Sequence, residues 1–240
     1  LIYYITYFHI KNYMKKITVA IILYFFLNVN SFSHLQHYAG VKYLEYDLFR
    51  NNDLIGTHKY DFIKNGEDLT VKSVVNFKIT KMGIDLYKYF AESTEKYQDN
   101  VFKSFNSTTL QNKKNKYVKI ELNTEQNKLN IDGSSYQGEA DINYMVGTWW
   151  NHEIVKAKAQ ISAISGRIIE QTVTFIGKEK VTIGDKTFNT LRFNFKSSDQ
   201  TLPDSKKLNT DIWYDEKTNL WVKAAFDKTG YWEYRVKIYK

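Results

Sequence analysis

The chain has 240 residues, with 15 Phe, 19 Tyr and 5 Trp but a single Pro and no Cys. That length allows one domain with a sizeable core, the aromatic loading favours strands over helices, and the lack of cysteine excludes a disulfide framework and thiol catalysis. The formal net charge of +8 is carried by scattered lysines and four arginines (Arg50, Arg167, Arg192 and Arg235); the one dense cluster, Lys113-Lys114-Asn115-Lys116, fits a solvated turn, so nucleic acid is not expected as a partner.

The N-terminal stretch reads as a secretory signal. Met14-Lys15-Lys16 supplies a basic start, residues 17–29 an apolar run, and Ser31-Phe32-Ser33 small residues that place cleavage before His34. The run is shorter than the ~20 residues of a spanning helix, so membrane contact is expected only if the segment stays uncleaved. With no cysteine nearby, a lipoprotein anchor is excluded. Residues 1–33 therefore read as an upstream extension plus signal-peptide helix, and 34–240 as one domain. Removing the first part takes away Lys11, Lys15 and Lys16 and leaves 31 basic against 26 acidic residues, a net +5. The expected location is periplasmic or secreted.

From residue 41 the chain alternates apolar and polar residues, the mark of half-buried strands. The predicted strands are 41–50, 54–64, 68–82, 84–97, 101–110, 117–122 and 128–132. Turns are signalled at Asn51-Asn52-Asp53, Asn65-Gly66, Gly83 and Asp99-Asn100. Leu69, Val71, Ser73, Val75, Phe77 and Ile79 share one face of the third strand. In the fourth, Leu86 and Phe90 oppose Tyr87, Tyr89 and Ala91.

Residues 133–166 break this rhythm. Asn151 can cap a short helix running to about Ala163, with Glu153 favourable in its first turn. A loop and helix are expected across the open face of the sheet. Strands resume at 167–176, 179–183 and 186–196, then a loop holds Pro203. The final segment, residues 211–240, reads as three short strands joined by tight turns at residues 216–219 and 228–230. In its middle strand Leu220, Val222, Ala224 and Phe226 oppose Trp221, Lys223, Ala225 and Asp227; in its last, Trp232, Tyr234, Val236 and Ile238 oppose Tyr231, Glu233, Arg235, Lys237 and Tyr239. The whole predicts an all-β fold: one curved antiparallel meander, half-barrel or barrel, with one short mid-chain helix.

Several motifs fall in an order that resembles a family of exported proteobacterial proteins of unknown function. They are Ile55-Gly56-Thr57-His58, Asn65-Gly66, residues 84–90 (IDLYKYF), Trp149-Trp150-Asn151, Ile164-Ser165-Gly166, residues 211–215 (DIWYD) and Tyr234-Arg235-Val236. The resemblance spans most of residues 41–239. It implies no reaction; the fold it implies is similar to the curved sheet of periplasmic lipoprotein carriers, which hold acyl chains in a half-barrel.

No G-x-S-x-G, S-x-x-K or phosphate loop is present. His58, in a core strand, reads either as a structural histidine beside Gly56 or as a weak candidate for a general base or ligand contact. His152 could join it with Glu139 or Asp141 around a metal, but no spaced His pair supports this, and no metal or cofactor is expected. Trp149 and Trp150 could stack on sugars, gate a cavity or plug the sheet as core. The expected ligand-binding set is His58, Tyr87, Tyr89, Trp149, Trp150, Trp213 and Trp232. The leading expectation is a non-enzymatic envelope protein holding a lipid or other hydrophobic ligand. It requires that inward positions such as Tyr46, Val75, Phe77, Phe90, Phe193 and Phe226 leave room. The alternatives are a small hydrolase using His58 with a carboxylate, and a scaffold acting on an envelope protein partner through an exposed apolar patch.

Overall fold

In the computed structural model, Tyr38 and residues 40–240 are described. The proposed signal segment and its cleavage point lie outside these residues. The described chain forms one sheet of fifteen strands. These are β1 (Tyr43–Arg50), β2 (Asp53–Asn65), β3 (Asp68–Lys81), β4 (Ile84–Gln98), β5 (Val101–Gln111), β6 (Lys114–Asn123), β7 (Lys128–Gly133), β8 (Tyr136–Asp141), β9 (Met145–Val146), β10 (Ala159–Ile161), β11 (Ile168–Ile183), β12 (Lys186–Ser197), β13 (Asn209–Asp215), β14 (Trp221–Asp227) and β15 (Tyr231–Tyr239).

The spatial order is β8-β7-β6-β5-β4-β3-β2-β1-β15-β14-β13-β12-β11-β10-β9. Two meanders, one from each half of the chain, thus meet at a β1–β15 seam, where Tyr46 opposes Val236 and Leu48 opposes Tyr234. Every ladder is antiparallel except the short β9–β10 pair. The sheet is curved and not closed. Its two ends are nonetheless tied, because Ser135 N–H donates to the Ser165 carbonyl at 2.9 Å. There Gly166 (φ +78) lies so close to β6 that a Cβ would stand 2.7 Å from Val118 Cγ2.

The hairpin turns follow from local chemistry. Asn51 and Asn52 both take positive φ (50° and 69°), as do Asp99 and Asn100 (51° and 62°). Two left-handed residues in a row match the twist of the strands they join, and Asn and Asp tolerate that region.

Alternation assigns the faces. The rungs Leu48–Gly56–Phe77–Tyr89 and Leu48–Tyr234–Ala224–Ile212–Phe193 point inward. There Leu44, Tyr46, Leu48, Phe195, Ile212 and Trp221 are fully buried. Gly56 is required on this face: a Cβ would meet the Asn76 carbonyl oxygen at 2.1 Å. The next rung, Arg192–Trp213–Lys223–Arg235–Asp47, points outward and forms a charged network. Glu233, nearly enclosed on that outer face, is paired by Lys223 and Arg235.

Four expectations need correction. Phe90 lies outside, 41% exposed, on the same face as the exposed Leu86. Trp221 shares the inner face with Ala224 because a bulge between Trp213 and Tyr214 leaves Val222 as an extra residue. Residues 168–183 form one strand rather than two, since a bulge at Ile176 absorbs the break. The mid-chain helix is a 3-10 turn, His152–Lys156. Asn151 caps it as expected, accepting from Glu153 N–H at 3.1 Å. It stops early because the Gln171 side-chain amide takes the carbonyls of Ile154 and Ala157, after which β10 pairs with β11.

Candidate functional site

The middle of the inner face of β3–β5 carries small residues, while the same face of these strands holds Phe77 and Tyr89 to one side and Leu69, Tyr97 and Phe105 to the other. One rung reads Tyr60–Ser73–Ser93–Ser107 and the next His58–Val75–Ala91–Thr109. Serine and alanine cannot fill the space that tyrosine fills elsewhere on the same face. A cavity of about 630 Å³ results, partly open to solvent. Its walls include His58, Tyr89, Trp149, Trp221, Phe226 and Tyr234.

Opposite this floor runs residues 145–150, a segment that enters the interior and is held by the sheet's own hydroxyls. Tyr60 donates to the Thr148 carbonyl at 2.7 Å and Tyr214 to the Trp149 carbonyl at 2.9 Å. Glu95, a buried carboxylate on β4, accepts from Trp150 Nε1 at 2.9 Å, Thr148 Oγ1 at 3.4 Å and Tyr97 Oη at 2.5 Å. Burial raises its pKa above the usual carboxylate value, against the lowering by these donors. The adjacent tryptophans consequently differ. Trp150 is fully buried and packs edge-on against Tyr38, Phe62 and Tyr97. Trp149 takes a left-handed backbone (φ 59°), uncommon for a bulky residue, and presents its ring to Trp221 and Tyr234 with its indole N–H unpartnered among the described residues.

His58 lies on the cavity wall, its ring over Tyr60 with centroids 4.3 Å apart. Its Nε2 is 2.8 Å from Ser73 Oγ, while Nδ1 is buried without a partner among the described residues. Burial lowers its pKa from 6.5 to about 3, so the ring is neutral at physiological pH. It is half-buried, with part of its surface on the cavity it lines.

Of the expected ligand set, His58, Tyr89 and Trp149 line the cavity. Tyr87 and Trp232 do not line it; both pack on Phe77, at 5.9 and 5.4 Å. Trp150 is core. Trp213 is on the opposite face of the sheet, sandwiched by Arg192 and Lys223, each 4.9 Å from its ring, and donating to Glu179. Its place in an alternating strand could not reveal which face was inner. His152 sits 3.2 Å from Glu153 and Glu139 pairs with Lys128; among the described residues no group of three metal-ligating side chains gathers. The sequence reading missed Glu95, Ser73 and the small-residue floor. The available signal was the run of Ser and Ala at inward parity in three consecutive strands.

The fold finds its counterparts among uncharacterised β proteins. A family profile described as "Domain of unknown function (DUF6134)" matches residues 46–237. The chain belongs to this family. A beta-barrel-like protein of another domain of unknown function, DUF1849, from Brucella abortus, superposes with a TM-score of 0.56 at 12% identity, over 83% of this chain and 97% of that one. That likeness concerns the fold. No curated protein matches the sequence. The family and its barrel-like neighbour agree with the curved β architecture expected for an uncharacterised family.

Proposed function

We propose that this DUF6134 protein is exported to the cell envelope and binds a lipid or another hydrophobic ligand inside its curved sheet, without catalysing a reaction. The observation that carries this reading is the hollow left by Ser73, Ala91, Ser93 and Ser107. Aromatic rings form part of its wall beside polar side chains, and its volume of about 630 Å³ falls in the range of about 300–1,000 Å³ usual for small-ligand sites. The basic-then-apolar residues 14–29 support export. The test is native mass spectrometry on protein expressed from the full sequence in a bacterial host and purified without detergent. Adducts that extract into organic solvent and identify as amphipaths support the reading. A bare protein mass that persists after incubation with envelope lipids overturns it.

One observation favours a second reading, a serine hydrolase: Ser73 Oγ and His58 Nε2 are 2.8 Å apart in a cavity. Against it, a ring held neutral down to a pKa of about 3 is a weak general base, and among the described residues no group orients Nδ1. Covalent labelling by a fluorophosphonate, lost in Ser73→Ala, would establish it.

A further inference from the structure

The cavity is lined by charged residues of both signs as well as by aromatic rings. Arg167, Lys207 and Lys228 are among the residues that line it, as are Asp204, Asp227 and Glu92. Lys207 is neutralised by Asp204 at 2.9 Å. Asp227 and Glu92 sit beside inward residues Phe226 and Ala91, so alternation turns their side chains to the outer face. Arg167 and Lys228 remain. Arg167 donates to the Lys206 carbonyl at 3.1 Å, and among the described residues no carboxylate pairs with either cation. The two are near enough to feel one another: the Lys228 ammonium titrates below the ordinary lysine value, first through burial and then through the Arg167 charge. Two like charges lining one cavity disfavour each other unless an anion lies between them. The same cavity is lined by Tyr89, Trp149, Trp221, Phe226 and Tyr234.

We propose that Arg167 and Lys228 form the headgroup site of the cavity, and that its ligand is a single-chain acidic amphipath with its tail among the aromatic rings and a carboxylate or phosphate between the two cations. This rests on the hydrophobic-ligand reading above. Guanidinium and ammonium donors to an anionic oxygen make the stronger class of hydrogen bond, and each such contact at about 1.4 kcal/mol is a factor of ten in affinity.

The experiment compares three probes that share a sixteen-carbon chain: hexadecanoic acid, hexadecyl phosphate and hexadecan-1-ol. Each is titrated below its solubility limit into the wild-type protein and into the double variant Arg167→Gln/Lys228→Gln, followed by tryptophan fluorescence and confirmed by native mass spectrometry. At least one acid should bind the wild type about a hundredfold more tightly than the alcohol. The double variant should lose that advantage while still binding the alcohol. Whichever acid binds more tightly names the headgroup. Equal binding of acids and alcohol to the wild type overturns the headgroup site and leaves the cavity reading intact. Binding of none of the three overturns both. An advantage for the acids that survives in the double variant places the anion elsewhere and overturns the assignment.

Discussion

Two stretches of the same inner face have opposite fates. On β1, β2 and β13–β15, inward positions hold Tyr46, Tyr60, Tyr214, Trp221 and Val236, which interlock as core. On β3–β5 the same alternation presents Ser73, Ala91, Ser93 and Ser107, and the interior is hollow. Periodicity decides which way a side chain points. Volume at those positions then decides whether the inside is packed or vacant. A strand pattern alone is therefore silent on function until the sizes of neighbouring inward residues are compared across strands.

The largest expected effect probes the packed side. Trp150→Ala should cost about 3–5 kcal/mol, as truncation of a buried Trp does, read as a fall in the urea midpoint. The adjacent Trp149→Ala should cost clearly less, because its ring borders the cavity and alanine suffers less in a left-handed backbone. Equal costs would mean that the two tryptophans are equally core.

The same enlargement on each side tests the contrast directly. Ala224→Leu, at a fully buried position, should destabilise by about 1–3 kcal/mol through overpacking. Ala91→Leu should leave stability within about 0.5 kcal/mol yet abolish amphipath binding. A comparable loss of stability at both sites would erase the distinction.

Acid should act on the cavity wall. His58 has its folded pKa depressed to about 3 while an unfolded histidine sits near 6.5. The unfolded chain thus binds the extra proton first. Stability from this group is present above about pH 6.5 and is lost as pH falls toward 3, at up to about 1.4 kcal/mol per pH unit. Glu95 works in the opposite sense: its raised folded pKa makes the folded state gain relative stability as pH falls through that value. Comparing His58→Gln with wild type at pH 7.5 and pH 5 isolates the histidine, and the variant should lose less stability over that interval. Parallel losses in both proteins would show that His58 does not hold off its proton.

The outer face should respond least. Lys237, half-exposed, pairs with Asp47 at 3.1 Å and Glu45 at 3.5 Å; Lys237→Ala should change stability by no more than about 1 kcal/mol, and less at high salt. A larger effect in thermal melts would make the charged face a true part of the core.

Much of the fold was legible in the residues. Strands 43–50, 53–65 and 68–81 and their Asn and Gly turns follow from period-two patterning and left-handed propensity. What failed failed for tertiary reasons. The bulge that turns Trp221 inward has no signature of its own, because it arises from pairing with β13. The helix expected to about Ala163 ends at Lys156 because Gln171, from another strand, captures its last carbonyls. Of the site, His58, Tyr89 and Trp149 were legible as polar or aromatic residues in the right strands. Trp213 was indistinguishable from them, since which face of an amphipathic strand is enclosed is set by the curvature of the whole sheet. Glu95 resembles any strand carboxylate until the segment at 148–150 is folded onto it.

The β1–β15 seam has a consequence for how the chain comes together. Asp47 and Lys237 touch across it although 190 residues separate them. A chain delivered from its N-terminus can zip β1 to β8 as local hairpins, but one edge of β1 stays bare until residues 231–239 arrive. Such long-range closure is slow, and a bare edge invites wrong partners. Glu45 and Asp47 put two negative charges on that waiting edge, which repel a second copy of the same strand and attract the lysine of the strand that belongs there. Outer charges that add little to the stability of the finished protein thus favour the native neighbour of β1 over a second copy of β1.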